Sequence, residues 1–179
     1  GNGTARFSSV APHIAITHSG ISADGRVLVA AAQRLAVEHA YTFEELIPIE
    51  LLLEELSLLF QEYTMKPASR PFGATLLVAH VSPETGEPQL FRIDPSGSVQ
   101  AYTEKKYAIV NGKSLENDVE TKLKEMVDAG GEDKDTATLE ERRLELSQLL
   151  EEAIRPKSAK GKEMKEKVPL STRIISASL

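Results

Sequence analysis

The four histidines are the side chains best suited to chemistry at neutral pH, because the sequence contains no cysteine. They are His13, His18, His39 and His80. No two of them have the four-residue spacing of a helical ligand pair, and a cysteine-containing zinc cluster is excluded. His13 and His18 lie on or beside one predicted strand at an odd separation, so their side chains point to opposite faces. We therefore interpret each as an ordinary core or surface residue and predict no metal or cofactor.

A second candidate is the segment His18–Gly20, where a serine hydroxyl follows an imidazole. A serine nucleophile needs a base within hydrogen-bond reach. Adjacent residues on a strand point apart, and the G-x-S-x-G frame of a nucleophile elbow is missing. The sequence also lacks a P-loop, a Rossmann glycine fingerprint, an H-E-x-x-H motif and an EF-hand loop. The residues taken alone therefore predict no active site.

Composition fits one globular domain over residues 1–179, with 41% hydrophobic and 27% charged residues. The formal net charge of −6 at pH 7 argues against nucleic acid as the main partner. No apolar run reaches the roughly 18 residues that a membrane span needs, so we predict no membrane partner.

Hydrophobic spacing predicts the strands. In Pro12–Thr17 apolar residues alternate with smaller or polar ones, which predicts a strand. Two further β-prone runs, Ala74–Val81 and Gln89–Ile93, are joined by turn residues and predict a hairpin. Because Ala74–Val81 is almost continuously apolar, we expect it to be covered on both faces. The turn residues Asp94–Gly97 lead into a third strand, Ser98–Tyr102. The start of the chain, residues 1–9, is small and polar and is expected to be exposed.

Two helices are predicted between these strands. Asp24 is a plausible N-cap of a helix that runs to about Ala40, in which Gly25 is unfavourable and unexplained. A second helix begins at Pro48 and ends near Tyr63. Its apolar surface is wider than one interface needs. Either that helix is buried on two sides, or one side contacts another subunit.

The last third of the sequence predicts further elements. They are a strand at Lys105–Val110, helices at Leu115–Val127 and Leu139–Ile154, a basic surface loop at Arg155–Lys167 and a strand at Thr172–Ala177.

Several short motifs then carry a resemblance to a known family. They are Ser19-Gly20 followed by an aspartate and R-V-L-V, Gln61–Thr64, Arg70–Gly73, Asp94–Gly97, and V-N-G-K-S at residues 110–114. In this combination the chain resembles the α-type subunits of the 20S proteasome, from about Phe7 to Gly112 and more weakly through the last strand. Within that family the resemblance favours the alpha-two type, with the alpha-five type as the alternative.

The resemblance implies an α+β fold, the four-layer αββα sandwich of the N-terminal-nucleophile hydrolases. By this resemblance, we expect residues 1–179 to form a single proteasome-type domain without the family's N-terminal gate segment and C-terminal helix. The implied function is non-catalytic: a structural subunit of the outer α-ring that supports ring assembly, channel gating and activator docking in ubiquitin-dependent degradation. The implied partners are neighbouring α subunits, the β ring and activator C-terminal tails, and the implied location is cytoplasm and nucleus.

The resemblance also assigns sites. In the family, the C-terminal tails of activators bind a pocket that contains a lysine, a glycine and the residue after that glycine. The resemblance places Arg6 at the lysine's position of this pocket, and Gly20 and Ile21 at the other two positions. An arginine keeps the cation and pairs bidentately with a carboxylate, although its head is larger. For subunit contacts we predict the first two helices and the loop after them, represented by Leu51, Leu58, Arg70 and Phe72.

Two alternatives stay open. Gly3-Thr4 is similar to the maturation site of catalytic subunits, so the chain could be a β-type threonine hydrolase that uses Thr4. Such a nucleophile needs its own amine and a nearby lysine, and the first lysine of the sequence is Lys66. A free α-like assembly factor is the other alternative.

Overall fold

A computed structural model describes residues 7–102, 108–109, 120–121, 123–124, 144 and 148. The chain divides into two units. Arg6–Asn111 with Ile175–Leu179 is one unit, and Gly1–Ala5 with Gly112–Ile174 is the other. The first unit contains β1 (Phe7–Ala11), β2 (Ile14–Gly20), α1 (Ser22–Phe43), α2 (Ile49–Met65), β3 (Ala74–Val81), β4 (Pro88–Ile93) and β5 (Val99–Ala101). In the other unit, residues 120–121, 123–124, 144 and 148 are helical.

The five strands form one antiparallel sheet in the order β1-β2-β3-β4-β5. The central register pairs Ile14 with His80 and Gly20 with Ala74. The prediction that residues 1–9 are an exposed start is wrong for Phe7 and Ser8, which are half-buried in β1 and pair with Thr17 and Ile16, and it is confirmed for Ser9, which is exposed. The pairing of β1 shifts between Ser9 and Ala11, and this irregularity hides its strand period.

One face of the sheet carries the core. Along β3 the buried residues alternate with half-buried ones, beginning with buried Ala74. The buried face packs with α1 and α2 in one cluster, whose fully buried large side chains are Phe60, Ile14, Ile16, Leu28, Leu52, Leu56, Leu76, Ile93 and Val78. The prediction that β3 is covered on both faces is therefore met on one face only within residues 7–102. Sheet and helices together confirm the α+β class.

The start of α1 differs from its prediction. Ile21, and not Asp24, occupies the N-cap position, and it makes no side-chain capping bond. Asp24 is buried in the first turn, where its carboxylate has other partners. The structure also explains Gly25. A Cβ at residue 25 would lie 2.1 Å from Cδ2 of His18, so only glycine leaves room for that ring.

The turn Asp94–Gly97 forms as predicted. The Gly97 N–H donates to the Asp94 carbonyl at 2.8 Å, and Gly97 has a φ of +81°. The Ser57 hydroxyl on α2 donates to the Gly97 carbonyl at 2.6 Å. This contact holds the turn against the helix.

Other predictions fall mostly outside the described residues. The loop Arg155–Lys167 and the strand Thr172–Ala177 lie wholly outside them, and the single domain over residues 1–179 stays a prediction. None of the helices in the described part of the chain is long and apolar enough to cross a membrane.

Candidate functional site

The corner between β2 and α1 holds a bidentate ion pair. Nη1 of Arg70 lies 2.6 Å from Oδ2 of Asp24, and Nη2 lies 2.7 Å from Oδ1. The Asp24 side chain is only 8% exposed, whereas the Arg70 side chain is 64% exposed. A planar guanidinium facing both carboxylate oxygens is the strong form of this interaction. The pair therefore joins the first turn of α1 to the loop that precedes β3.

Asp24 also binds the backbone of that loop. The Gly73 N–H donates to Oδ2 of Asp24 at 2.8 Å. The hydrogen bonds from Arg70, then the bond from Gly73, lower the pKa of Asp24 to about 2, although burial opposes the shift. The carboxylate is therefore ionised throughout the physiological range, so Asp24 and Arg70 form an ion pair at any physiological pH.

Gly20 and Ile21 lie at the same corner. Gly20 has a φ of +113°, and a Cβ there would lie 2.3 Å from the Gly73 carbonyl oxygen. The Ile21 N–H donates to that oxygen at 2.8 Å. The Ile21 side chain lies against Gly73 and is 48% exposed. Two of the three residues assigned to the tail pocket are thus brought beside the Arg70 loop, while Arg6 lies outside the described residues.

One residue predicted to form a subunit contact is corrected. Phe72 is 7% exposed and packs in the core of its own chain. Its ring centroid lies 5.5 Å from that of Phe60 and 4.5 Å from that of Tyr63. Because so little of the ring reaches the surface, it is not available as a contact for another subunit.

The other predicted contact residues remain partly accessible. Leu51 is half-buried against the core, and Leu58 is 52% exposed. Leu58 lines a groove of about 420 Å³ between α1 and α2. The apolar part of this groove is formed by Ala31, Leu35, Leu58, Leu59 and Met65.

The histidines serve packing and hydrogen bonding. His13 and His80 make an edge-to-face contact with centroids 5.3 Å apart. His13 donates from Nε2 to the Ile47 carbonyl at 3.0 Å, and burial lowers its pKa. His80 contacts the Gln89 side-chain oxygen at 3.0 Å. Within the described ranges no group of three or more His, Cys, Asp or Glu side chains is placed to hold a metal ion.

Sequence reasoning missed the Asp24–Arg70 pair. The sequence indicated a helix cap for Asp24, from its place before the helix, and a subunit contact for Arg70, from the family resemblance. The two residues are 46 positions apart, and no spacing rule of helices or strands connects them. The available signal was that both belong to the motifs that carry the family resemblance.

Comparison with known proteins identifies the class. Residues 2–168 match the family described as Proteasome subunit, which is most of the chain. The chain therefore belongs to the proteasome subunit family.

The relatives indicate which type of proteasome subunit the chain resembles. The Caenorhabditis elegans proteasome subunit alpha type-2 is 36% identical over 97 residues, 54% of this chain and 42% of that protein. The Trypanosoma brucei brucei alpha type-2 subunit is 43% identical over 86 residues, 48% of this chain and 36% of that protein. Alpha type-7-B of Oryza sativa subsp. indica is 30% identical over 149 residues, 75% of this chain and 60% of that protein. These relatives confirm the predicted α-type membership, and the chain spans only part of their length.

Proposed function

We propose that this chain is a non-catalytic structural subunit of the outer α-ring of the 20S proteasome. The observation that carries the proposal is the family match over residues 2–168 together with relatives named alpha type-2 and alpha type-7. In this role it supports ring assembly, channel gating and activator docking in ubiquitin-dependent degradation. Neither a β-type hydrolase using Thr4 nor a free assembly factor gains support from these relatives.

The proposed partners are neighbouring α subunits, the β ring and the C-terminal tails of activators. The exposed apolar residues Leu58 and Met65 support a role for the α1–α2 surface in such contacts, because exposed apolar patches commonly mark interfaces. The proposed tail pocket comprises Arg6, Gly20 and Ile21. We place the particle in the cytoplasm and nucleus.

We also infer the four-layer αββα sandwich. Along β3 the face opposite the helices carries Leu77, Ala79 and Val81, all of them half-buried. A row of apolar side chains on that face fits a second sheet packed against it, as in a sandwich. A second helical layer then covers the second sheet.

Co-expression of the tagged chain with the other α and β subunits tests the proposal. Native electrophoresis and mass spectrometry of the purified product should find this chain in a very large particle at a fixed stoichiometry. A β-lactone or epoxyketone probe should label other subunits and leave this chain unlabelled. Labelling at Thr4, or a chain that migrates only as a small free species, would overturn the proposal.

A matched pair of variants tests the α1–α2 surface. Leu58→Asp places a charge in the groove, whereas Val37→Asp places one at a site that is 66% exposed and is not part of the groove lining. We expect Leu58→Asp to lower incorporation and Val37→Asp to leave it near the wild-type level. Equal incorporation of the two variants would exclude the groove as a contact surface.

A further inference from the structure

We propose that His13 and His80 form a proton-sensitive clamp, in which protonation of His13 below neutral pH releases the connection between α1 and α2 from the β1–β2 turn. His13 lies in that turn and His80 lies on β3. Ile47 lies in the connection, and its carbonyl accepts a hydrogen bond from His13. The clamp lies within one unit of the chain and does not depend on the proposed role in a ring.

The hydrogen bond of His13 fixes the tautomer of its neutral ring. Nε2 lies 3.0 Å from the Ile47 carbonyl oxygen, which can only accept, so the proton of the neutral ring is on Nε2. Nδ1 is buried and, among the described residues, has no hydrogen-bond partner. A second proton on Nδ1 would create a buried donor without an acceptor, which is unfavourable. The site therefore fits the neutral ring and disfavours the charged one.

The ring of His80 is a second reason why His13 stays neutral. The two ring centroids are 5.3 Å apart in an edge-to-face contact. His80 is 6% exposed, and its Nδ1 lies 3.0 Å from Oε1 of Gln89. Positive charges on both rings would repel each other at this distance. Protonation of both rings therefore disfavours the contact between them.

The groups around the clamp set the direction of its response to pH. Burial is the main cause that lowers the pKa of His13, the bond to Ile47 opposes the shift, and His80 adds to it. The acidic residues on the adjoining described elements are exposed and are not among these causes; they are Glu38, Glu44, Glu45, Glu50 and Glu87. Because the pKa is lowered from 6.5, the clamp is fully stabilising above pH 6.5 and weakens as the pH falls below that value.

Release of the Ile47 carbonyl affects the start of α2. Ile47 is 2% exposed and Ile49 is 3% exposed, so the residues on both sides of Pro48 enter the core. The Leu52 N–H donates to the Pro48 carbonyl at 3.2 Å and closes the first turn of the helix. When His13 no longer holds Ile47, we expect this first turn to open more often.

Hydrogen exchange of the full chain, followed by NMR at about pH 7.5 and about pH 5.5, tests the clamp. One reporter is the Val81 N–H, which donates to the His13 carbonyl at 3.0 Å, and the other is the Leu52 N–H. After correction for the intrinsic effect of pH on exchange, we expect the protection of both to fall about fivefold at the lower pH. The Gly97 N–H donates to Asp94 in a turn without histidine, so its protection should not change.

Two histidine variants form a matched pair. His13→Gln keeps a side-chain N–H for the Ile47 carbonyl but cannot titrate, so the pH dependence of the two reporters should disappear. His39 lies on α1 against the ring of Phe43, and His39→Gln should keep the wild-type dependence. In His80→Gln the loss of protection should be smaller than in the wild type, because the second charge is removed.

The outcomes that refute the clamp are distinct. Equal protection of Val81 and Leu52 at both pH values in the wild type refutes it, as does a loss in His13→Gln as large as that of the wild type. If His13→Gln does not fold, the imidazole resonances of the wild type decide the result. A pKa of His13 below 6.5 that coincides with the loss of protection supports the clamp, and a pKa at or above 6.5 refutes it.

Discussion

Replacing Gly25 by alanine should destabilise the chain, contrary to the usual effect of this change in a helix. Gly25 lies in the first turn of α1, beside the ring of His18 on β2. An added Cβ would lie 2.1 Å from Cδ2, 2.3 Å from Cγ and 2.6 Å from Nε2 of that ring. Carbon atoms in good contact are about 3.5–4.0 Å apart, so the imidazole has to move by roughly 1.5 Å or more to relieve the contact.

Two opposing effects set the magnitude. Glycine to alanine in a helix interior stabilises by about 1 kcal/mol through helix propensity. Overpacking of a well-packed site costs about 1–3 kcal/mol. The middle of the overpacking range, about 2 kcal/mol, exceeds the gain from helix propensity by about 1 kcal/mol. Gly25→Ala should therefore lower the free energy of unfolding by about 1 kcal/mol. In a chain that carries His18→Ala the clash is absent, so Gly25→Ala should raise the free energy of unfolding by up to about 1 kcal/mol.

Urea unfolding of four chains measures this coupling. They are the wild type, Gly25→Ala, His18→Ala and the double variant, followed by circular dichroism. Ala30→Gly, at an exposed position of the same helix, measures the difference in helix propensity between alanine and glycine without a clash. It should lower the free energy of unfolding by about 1 kcal/mol. If Gly25→Ala stabilises the wild type as much as it stabilises the His18→Ala chain, the contact with His18 is not the reason for the glycine.

Three further predictions concern burial, charge and the turn. Leu56→Ala should lower the free energy of unfolding by about 2–5 kcal/mol because Leu56 is fully buried, whereas Leu58→Ala should cost less than about 1 kcal/mol. If the two variants lose the same free energy of unfolding in urea titrations, Leu56 is not more deeply buried than Leu58 and the prediction is wrong. Because the pKa of Asp24 falls from its usual 3.8 to about 2, its stabilising effect is present above pH 3.8 and disappears as the pH falls toward 2. Asp24→Asn should therefore reduce the loss of unfolding free energy between pH 3.8 and pH 2. If the pH dependence is the same as in the wild type, the Asp24–Arg70 pair does not stabilise the chain. Gly97→Ala should cost about 1–3 kcal/mol, since its φ is +81° and its Cβ would lie 2.8 Å from the Ser57 carbonyl oxygen. A melting temperature equal to that of the wild type would show that the turn adjusts freely.

Most of the described elements could be predicted from hydrophobic period and turn chemistry. The helix after Pro48 and the hairpin of β3 and β4 lie within a few residues of their predicted bounds. The helix α1 was also predicted, and it ends three residues later than expected, at Phe43. β1 was missed because Ser8 and Ser9 weaken its apolar pattern and a register shift interrupts its period.

The candidate site could not be predicted in the same way. Local rules place an aspartate near a helix start at the N-cap, yet the buried Asp24 pairs with Arg70 from a distant loop. Gly25 has no local reason to be glycine, and its reason is a ring on a neighbouring strand. Phe72 belongs to the loop that was predicted to contact other subunits, but its aromatic neighbours lie on α2 of its own chain. Each error concerns a contact with a residue on another element, which local sequence rules do not describe.

The order of strands in the sheet also bears on how the protein is made. Strands β3, β4 and β5 follow one another directly, but residues 21–73 separate the paired strands β2 and β3. On the ribosome, β2 therefore emerges long before the strand that completes its ladder. Until then the apolar faces of α1 and α2 have only the first hairpin to cover them, so the nascent chain offers a binding surface to chaperones during that interval.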